Sequence, residues 1–160
     1  MGPLNNEGVA AKMDEHVADA LDRGATLTAG GSRADGFPTG LFWEPTILAR
    51  VPSDALVAAE ETFGPVAPVV EIGSLEEAIS LANGSPYGLL AAVFTGDLRR
   101  GLEFADRVRT GWVNVNDSSN YWESHLPFGG RAGSQSGVGR VGGRYPMETF
   151  TEPKTVILSL

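Results

Sequence analysis

The stretch Ala59-Glu60-Glu61-Thr62-Phe63-Gly64-Pro65-Val66 lies in the first half of the 160-residue chain and decides its local architecture. A helix cannot continue through Gly64-Pro65, because proline lacks an amide hydrogen and restricts the residue before it. The adjacent carboxylates of Glu60 and Glu61 are therefore expected at a turn. This turn leads into the apolar run 66–70, which predicts a strand.

A carboxylate at such a turn can bind a ribose, because its oxygens accept hydrogen bonds from both hydroxyls of a vicinal diol. Phe63 adds a flat ring two residues after Glu61, on the same side of the chain if the segment is extended. The same residues also fit a plainer interpretation, in which the glutamates are solvated and Phe63 belongs to the core. The octet alone leaves both interpretations open.

Composition sets the broad class of the protein. With 42% hydrophobic and 20% charged residues, the chain resembles an ordinary soluble globular domain. The net charge of −8 argues against nucleic acid or an anionic membrane as a partner. The chain has no cysteine, which excludes disulfides, thiolate metal sites and a cysteine nucleophile within it.

No membrane segment or leader is evident. No apolar run approaches the roughly 20 residues that a membrane helix needs. The N-terminus, Met1-Gly2-Pro3-Leu4, has no signal-peptide character, so a cytoplasmic location is expected. His16 lies beside a helical stripe with no partner at metal-ligand spacing, and no metal site is expected.

Helical and strand patterns alternate along the chain. An amphipathic helix is predicted from an N-cap at Asn5 or Asn6 to Gly24, and further helices begin at the N-caps Ser74 and Asp97. Apolar runs predict strands at residues 26–28, 42–49, 66–72, 89–94 and 111–115. This order predicts an α/β fold, a three-layer open, mainly parallel sheet flanked by helices.

Two details of burial are expected from these patterns. The continuous apolar run 89–94 is typical of a strand covered on both faces. In the helix after Asp97, we expect Leu98, Leu102 and Phe104 to point mostly inward.

A long segment, residues 116–144, lacks helical or strand periodicity and is rich in serine, asparagine and glycine. Such a loop in a compact domain is usually functional. Residues 137–142 match G-x-G-x-x-G, but no strand precedes them, so we interpret them as flexible backbone at a pocket mouth rather than a dinucleotide motif. Ser136 lacks the surroundings of a nucleophile, and no catalytic residue is assigned.

Six blocks in order resemble the C-terminal third of an NAD(P)-dependent aldehyde dehydrogenase. The blocks are Gly2-Pro3-Leu4, Glu60-Glu61-Thr62-Phe63-Gly64-Pro65, Tyr87-Gly88-Leu89-Leu90-Ala91-Ala92-Val93-Phe94-Thr95, Gly111-Trp112-Val113-Asn114, Pro127-Phe128-Gly129-Gly130 and Glu152-Pro153-Lys154-Thr155. The resemblance covers nearly the whole chain. One departure is Ala132, where the family commonly has a lysine.

The resemblance implies roles for individual residues. Glu61 corresponds to the glutamate that binds the nicotinamide-side ribose, and Phe63 to the aromatic residue near the nicotinamide ring. Phe128 corresponds to the aromatic residue at the substrate tunnel. The loop 116–126 corresponds to the segment that shapes the aldehyde pocket, with Trp122 as a lining residue.

The resemblance also implies a division of the chain. Residues 1–150 correspond to the C-terminal portion of the catalytic domain. Residues 151–160 correspond to an oligomerisation strand, which in the family adds to the sheet of a neighbouring subunit. A flat, β-branched edge of this kind seeks a partner, so a homo-oligomer is expected.

Two functions remain open at this level. In the first, the chain is part of an enzyme that oxidises an aldehyde to an acid with NAD or NADP, and it is inactive alone because the nucleophilic cysteine and the dinucleotide-binding domain are missing. Its partner would be an upstream catalytic half or an intact homologue, and tight cofactor binding to this chain alone is not expected. In the second, the chain is a non-catalytic assembly or regulatory module that oligomerises through its last strand.

Overall fold

The computed structural model describes residues 1–160, and the chain divides into two compact units, Met1–Gly73 and Ser74–Leu160. The first unit contains α1 (Glu7–Asp22), β1 (Thr26–Ala29), β2 (Thr46–Ala49), α2 (Leu56–Ala59) and β3 (Val66–Pro68). The second contains α3 (Leu75–Gly84), β4 (Leu90–Val93), α4 (Leu98–Arg107), β5 (Trp112–Val115) and α5 (Tyr145–Phe150). The predicted α/β class is confirmed, and its strands are distributed over two sheets. None of the helices has the length and apolar character needed to cross a bilayer.

The sheet of the first unit has the strand order β1-β2-β3. β1 pairs with β2 in antiparallel fashion, whereas β2 pairs with β3 in parallel, with Thr46 opposite Val66 and Leu48 opposite Pro68. Proline cannot donate a ladder hydrogen bond and is confined to edge strands. Pro68 lies in β3, which is an edge strand of this sheet, as this rule requires.

The core of the first unit forms around one face of α1. The helix begins where Asn6 accepts a hydrogen bond from the amide of Val9 at 3.0 Å, which confirms the predicted N-cap. The buried core cluster consists of Met13, Val17, Ala20, Ala25, Trp43, Leu48, Val51, Ala55 and Val57. Because α1 supplies residues at helical spacing to this cluster, its orientation is fixed by apolar packing.

The second unit has a smaller core. β4 and β5 are parallel, with Leu90 opposite Trp112 and Val93 opposite Val115. The buried cluster contains only Ile79, Phe104 and Val108, with partly buried side chains around it.

The helices of the second unit begin as predicted. Ser74 Oγ accepts a hydrogen bond from the Glu77 amide at 3.1 Å, and Asp97 Oδ1 accepts one from the Arg99 amide at 2.9 Å. These side chains satisfy amides that have no partner within the helix.

Two predictions of burial in the second unit are wrong. The run 89–94 is not covered on both faces, since all residues of β4 are half-buried and Phe94 is 71% exposed. Leu98 and Leu102 point outward, with exposed fractions of 68% and 58%. The face of α4 that packs on the sheet contains Gly101, where an added Cβ would lie 2.9 Å from Val115 Cγ1.

Residues 151–160 form neither a helix nor a strand in this chain, and all of them are exposed. The strand expected within residues 151–160 therefore does not form in the single chain. A strand is defined by hydrogen bonds to a neighbouring strand, and no segment of the chain pairs with this one.

Glycines in the second unit allow backbone segments to pack closely. A Cβ added to Gly111 would lie 1.7 Å from the carbonyl oxygen of Gly129. A Cβ added to Gly129 would lie 2.3 Å from the carbonyl oxygen of Gly139. Residues 137–142 neither follow a strand nor open a helix, in agreement with the rejection of a dinucleotide motif. The sequence predicted flexible backbone in this segment, whereas the structure shows residues 111, 129 and 139 packed closely together.

We expect Gly111→Ala to destabilise the second unit by at least about 1–3 kcal/mol, because the new methyl group would overlap a backbone oxygen that cannot move freely. Gly84→Ala is the matched control. No atom lies within 4 Å of its added Cβ, and alanine is the better helix former, so we expect an unchanged or raised stability. Amide hydrogen exchange of β4 and β5 measures both effects. Equal protection in the two variants would contradict the packing described.

Candidate functional site

A segment of the first unit, residues 60–64, places Glu61 and Phe63 beside an open cavity of about 320 Å³. The cavity is lined by Val57, Glu60, Glu61, Thr62, Phe63, Gly64, Val66 and Pro68. The Glu61 side chain is exposed, and its carboxylate makes no hydrogen bond or ion pair within the chain. The structure thus brings together the two residues that the sequence assigned to cofactor binding.

The Phe63 ring is 77% exposed, which excludes the plainer interpretation of Phe63 as a core residue. Its backbone has a φ of 56°, in the left-handed region that a bulky residue rarely adopts. This conformation costs roughly 1–2 kcal/mol, and such outliers cluster at functional sites. The exposed aromatic ring of Phe63 gains nothing from burial within this unit that would offset the strain of its backbone.

The residues that precede and follow Glu61, which are Glu60 and Thr62, contact α1 through their side chains. Lys12 Nζ lies 3.2 Å from Glu60 Oε2 and also donates a hydrogen bond to the Glu61 carbonyl oxygen at 2.7 Å. Both side chains of this ion pair are partly exposed, so solvent screening limits its contribution to about 0–1 kcal/mol. The ion pair between Lys12 and Glu60 is therefore too weak to fix the position of residues 60–64 by itself.

The stronger anchor is a buried contact between His16 Nδ1 and Thr62 Oγ1 at 2.9 Å. His16 is 1% exposed and Thr62 is 7% exposed, so neither group has water as a substitute partner. Leaving one of them unpaired would cost about 1–3 kcal/mol. The sequence placed His16 on a helix face but gave no signal for this contact, because the two residues are 46 positions apart.

Burial lowers the pKa of His16 below its ordinary value, and the nearby charge of Lys12 lowers it further. The carboxylates of Glu60, Glu15 and Asp19 act in the opposite direction without reversing the shift. His16 is therefore neutral near pH 7, and one ring nitrogen donates while the other accepts.

An aromatic cluster occupies the second unit. The ring centroids of Trp122 and Phe128 lie 5.4 Å apart, and those of Trp112 and Phe128 lie 6.3 Å apart, both in tilted arrangements. The structure thus brings together the two residues that the sequence assigned to the substrate pocket. Trp122 is 46% exposed, so part of its ring is available to a ligand.

The loop that carries Trp122 is held by Asn114, at the end of β5. Asn114 Nδ2 donates to the carbonyl oxygens of Ser118 at 2.7 Å and Tyr121 at 3.1 Å, while its Oδ1 accepts from Trp112 Nε1 at 2.5 Å. Asn114 is 7% exposed, and all its polar atoms are used. The sequence contained this residue within a family block but did not assign it a role.

A second cavity, of about 500 Å³, lies over the glycine-rich segment of the second unit and is lined by Gly130, Ala132, Gly133, Ser134, Gly137, Val138, Gly139 and Arg140. Ser136 Oγ accepts a hydrogen bond from the Gly88 amide at 3.0 Å. This bond joins the glycine-rich segment to the residues that precede β4.

Comparison with known proteins identifies the family. The model of the aldehyde dehydrogenase family matches residues 1–156. The chain therefore belongs to the aldehyde dehydrogenase family, as its sequence blocks predict.

Individual relatives agree with this assignment. The chain is 42% identical over 158 residues to 3-sulfolactaldehyde dehydrogenase of Pseudomonas putida, covering 98% of this chain and 31% of that protein. It is 40% identical over 155 residues to the mitochondrial succinate-semialdehyde dehydrogenase of Rattus norvegicus, covering 97% and 29% respectively. A crystal structure of Mycobacterium tuberculosis aldehyde dehydrogenase complexed with NAD+ superposes with a TM-score of 0.89 at 36% identity, covering 99% of this chain and 32% of that one. The chain thus spans about 30% of the length of the curated relatives it matches.

The lowered pKa of His16 predicts a loss of stability on acidification. The unfolded chain takes up a proton near the ordinary histidine pKa of about 6.5, whereas the folded chain does so only at a lower pH. The free energy of unfolding should therefore decrease as the pH falls from about 6.5 to the folded pKa. We expect a smaller decrease in His16→Gln, measured as the difference in melting temperature between pH 7.5 and pH 5.5. An equal decrease in both proteins would contradict the burial of a neutral His16.

Proposed function

We propose that this chain supplies the cofactor-contacting and aldehyde-contacting side chains of an NAD(P)-dependent aldehyde dehydrogenase, which oxidises an aldehyde to a carboxylic acid. Glu61 binds the hydroxyls of the nicotinamide-side ribose, and Phe63 packs beside the nicotinamide ring. Trp122 and Phe128 line the path of the aldehyde. Residues 1–150 correspond to part of the catalytic domain, and residues 151–160 to a strand that joins subunits.

The observation that carries this proposal is the pairing of an unengaged carboxylate with an exposed ring at one cavity. A carboxylate without internal partners retains its capacity to accept two hydrogen bonds, which a ribose diol donates. The ring of Phe63 offers a flat apolar face, as a nicotinamide requires. The residues present therefore fit the cofactor.

The cofactor, when bound, supplies the acceptor for the hydride that leaves the substrate. This chain contributes orientation to the reaction, because Glu61 and Phe63 fix the ribose and ring against rotation. Covalent aldehyde oxidation also requires a thiolate, and the chain has no cysteine. The nucleophile must therefore come from residues outside these 160, and the chain alone is inactive.

The second unit supports the need for a partner. Its buried cluster has three members, whereas large apolar side chains such as Phe94, Leu98 and Leu102 are more than half exposed. Exposed apolar patches of this kind mark interaction surfaces. A catalytic half or an intact homologue, in the cytoplasm, is the partner that this proposal requires.

We expect NAD+ at millimolar concentration to shift the backbone amide resonances of residues 60–64 in the 15N-labelled chain. Glu61→Gln should weaken the apparent affinity by about three- to tenfold, because a charge-assisted hydrogen bond is replaced by a neutral one. Glu71→Gln is the matched control, since this exposed glutamate lies outside the cavity. The cofactor role fails if NAD+ leaves residues 60–64 unperturbed or if both variants behave alike.

A second candidate function is non-catalytic assembly through the C-terminal segment. Residues 151–160 are exposed throughout, and Val156, Ile157 and Leu158 are 69%, 85% and 86% exposed. A β-branched, apolar segment without a pairing strand favours addition to the sheet of another copy. This observation supports a homo-oligomer whether or not the chain participates in catalysis.

We expect the purified chain to sediment as an oligomer and Ile157→Pro to sediment as a monomer. Proline removes a main-chain donor and cannot occupy a paired strand. Ile157→Val is the matched control, because it retains a β-branched apolar side chain and should remain oligomeric. A monomeric unmodified chain in sedimentation velocity would eliminate this candidate function.

A further inference from the structure

We infer that His16 and Thr62 form a positioning pair that holds Glu61 and Phe63 in the arrangement in which they face a ligand. This inference rests on the proposed cofactor role of Glu61 and Phe63. It assigns a function to two buried residues to which no cofactor contact is assigned. Neither residue touches the reacting atoms, so the pair acts only through the backbone of the segment.

The position of Thr62 in the sequence is what gives the pair its effect. Thr62 is bonded covalently to Glu61 on one side and to Phe63 on the other. Its hydroxyl lies 2.9 Å from His16 Nδ1 in a buried environment. Because the Thr62 side chain is turned toward α1, the side chains on either side of it remain exposed beside the cavity.

The segment is fixed to the same face of α1 at both of its ends. Lys12, one helical turn before His16, donates a hydrogen bond to the Glu61 carbonyl oxygen at 2.7 Å. Gly64 packs so closely on Met13 that an added Cβ would lie 2.3 Å from its sulfur. Met13 is fully buried in the core of the first unit, so this contact is not free to shift.

Phe63 itself has no comparable anchor. Its ring is exposed, and its backbone makes no hydrogen bond within the chain. Its left-handed φ of 56° is therefore imposed by the neighbours on either side, Thr62 and Gly64. Without the hydroxyl of Thr62, the exposed bond from Lys12 to the Glu61 carbonyl oxygen and the contact at Gly64 remain, but no buried hydrogen bond holds the backbone between them.

The experiment uses a matched pair of variants at one position. Thr62→Val keeps the shape of the side chain and removes the hydroxyl, whereas Thr62→Ser keeps the hydroxyl and removes a methyl group. We expect the conformational exchange of residues 61–64, measured by 15N relaxation dispersion, to rise at least twofold in Thr62→Val and to stay at the level of the unmodified chain in Thr62→Ser. The 15N shifts of the His16 ring should change only in Thr62→Val, because only that variant removes its partner.

Titration with NAD+ then separates the inference from the proposed function. If the pair positions the cofactor residues, the apparent affinity falls at least threefold in Thr62→Val and is retained in Thr62→Ser, while the amide spectrum of residues 74–160 stays unchanged. Unchanged exchange and affinity in Thr62→Val would overturn the inference, even if Glu61→Gln still weakens binding. If the unmodified chain shows no response to NAD+, the proposed function fails and the cofactor-positioning role is overturned with it, whatever the exchange rates show.

Discussion

The packing of residues 60–64 against one face of α1 is the constraint on which the candidate site depends. Met13 joins this face to the apolar core of the first unit, while Lys12 and His16 present polar atoms to the segment. The apolar contact fixes where the segment lies, because close-packed interiors resist displacement. The buried polar contact turns the Thr62 side chain toward α1, because a buried hydroxyl needs a hydrogen-bond partner. Position and orientation are thus controlled by different interactions on the same helix.

The two units differ in how many apolar side chains each one buries in its own core. The first has a core of nine buried residues, and the second has three. Relatives of known structure are about three times as long, since the chain covers 32% of one such chain. The exposed leucines of α4 and the exposed Phe94, which follows β4, are apolar surface that the second unit does not cover itself. A buried side chain of this size contributes about 1.5–3 kcal/mol, so covering three of them would change the stability of the unit substantially.

Local signals in the sequence predicted local structure well. The N-caps at Asn6, Ser74 and Asp97 are confirmed, because a capping side chain bonds to amides only two or three residues away. Features that depend on distant partners could not be obtained in this way. The contact of His16 with Thr62 spans 46 positions, and the strand expected after residue 152 requires a neighbour that the chain does not supply. Leu98 and Leu102 fit a helical stripe, but the buried residues of α4 are Gly101 and Phe104.

Four residues were assigned to the candidate site from the family resemblance, and the structure shows two pairs of them side by side. Glu61 and Phe63 share a cavity, and Trp122 contacts Phe128. The residues that support them, His16 and Asn114, carried no recognisable signal of this role, because a buried histidine or asparagine is as common in an ordinary core. Their function becomes visible only from their hydrogen-bond partners.

The left-handed backbone at Phe63 means that a substitution there has two opposite effects, one on backbone strain and one on the exposed aromatic surface. Glycine or asparagine would adopt this conformation with less strain, so a drift toward either would make the fold more robust. The same exchange would delete the ring and with it any stacking surface. Phenylalanine at this position therefore keeps an exposed ring at the cost of a strained backbone.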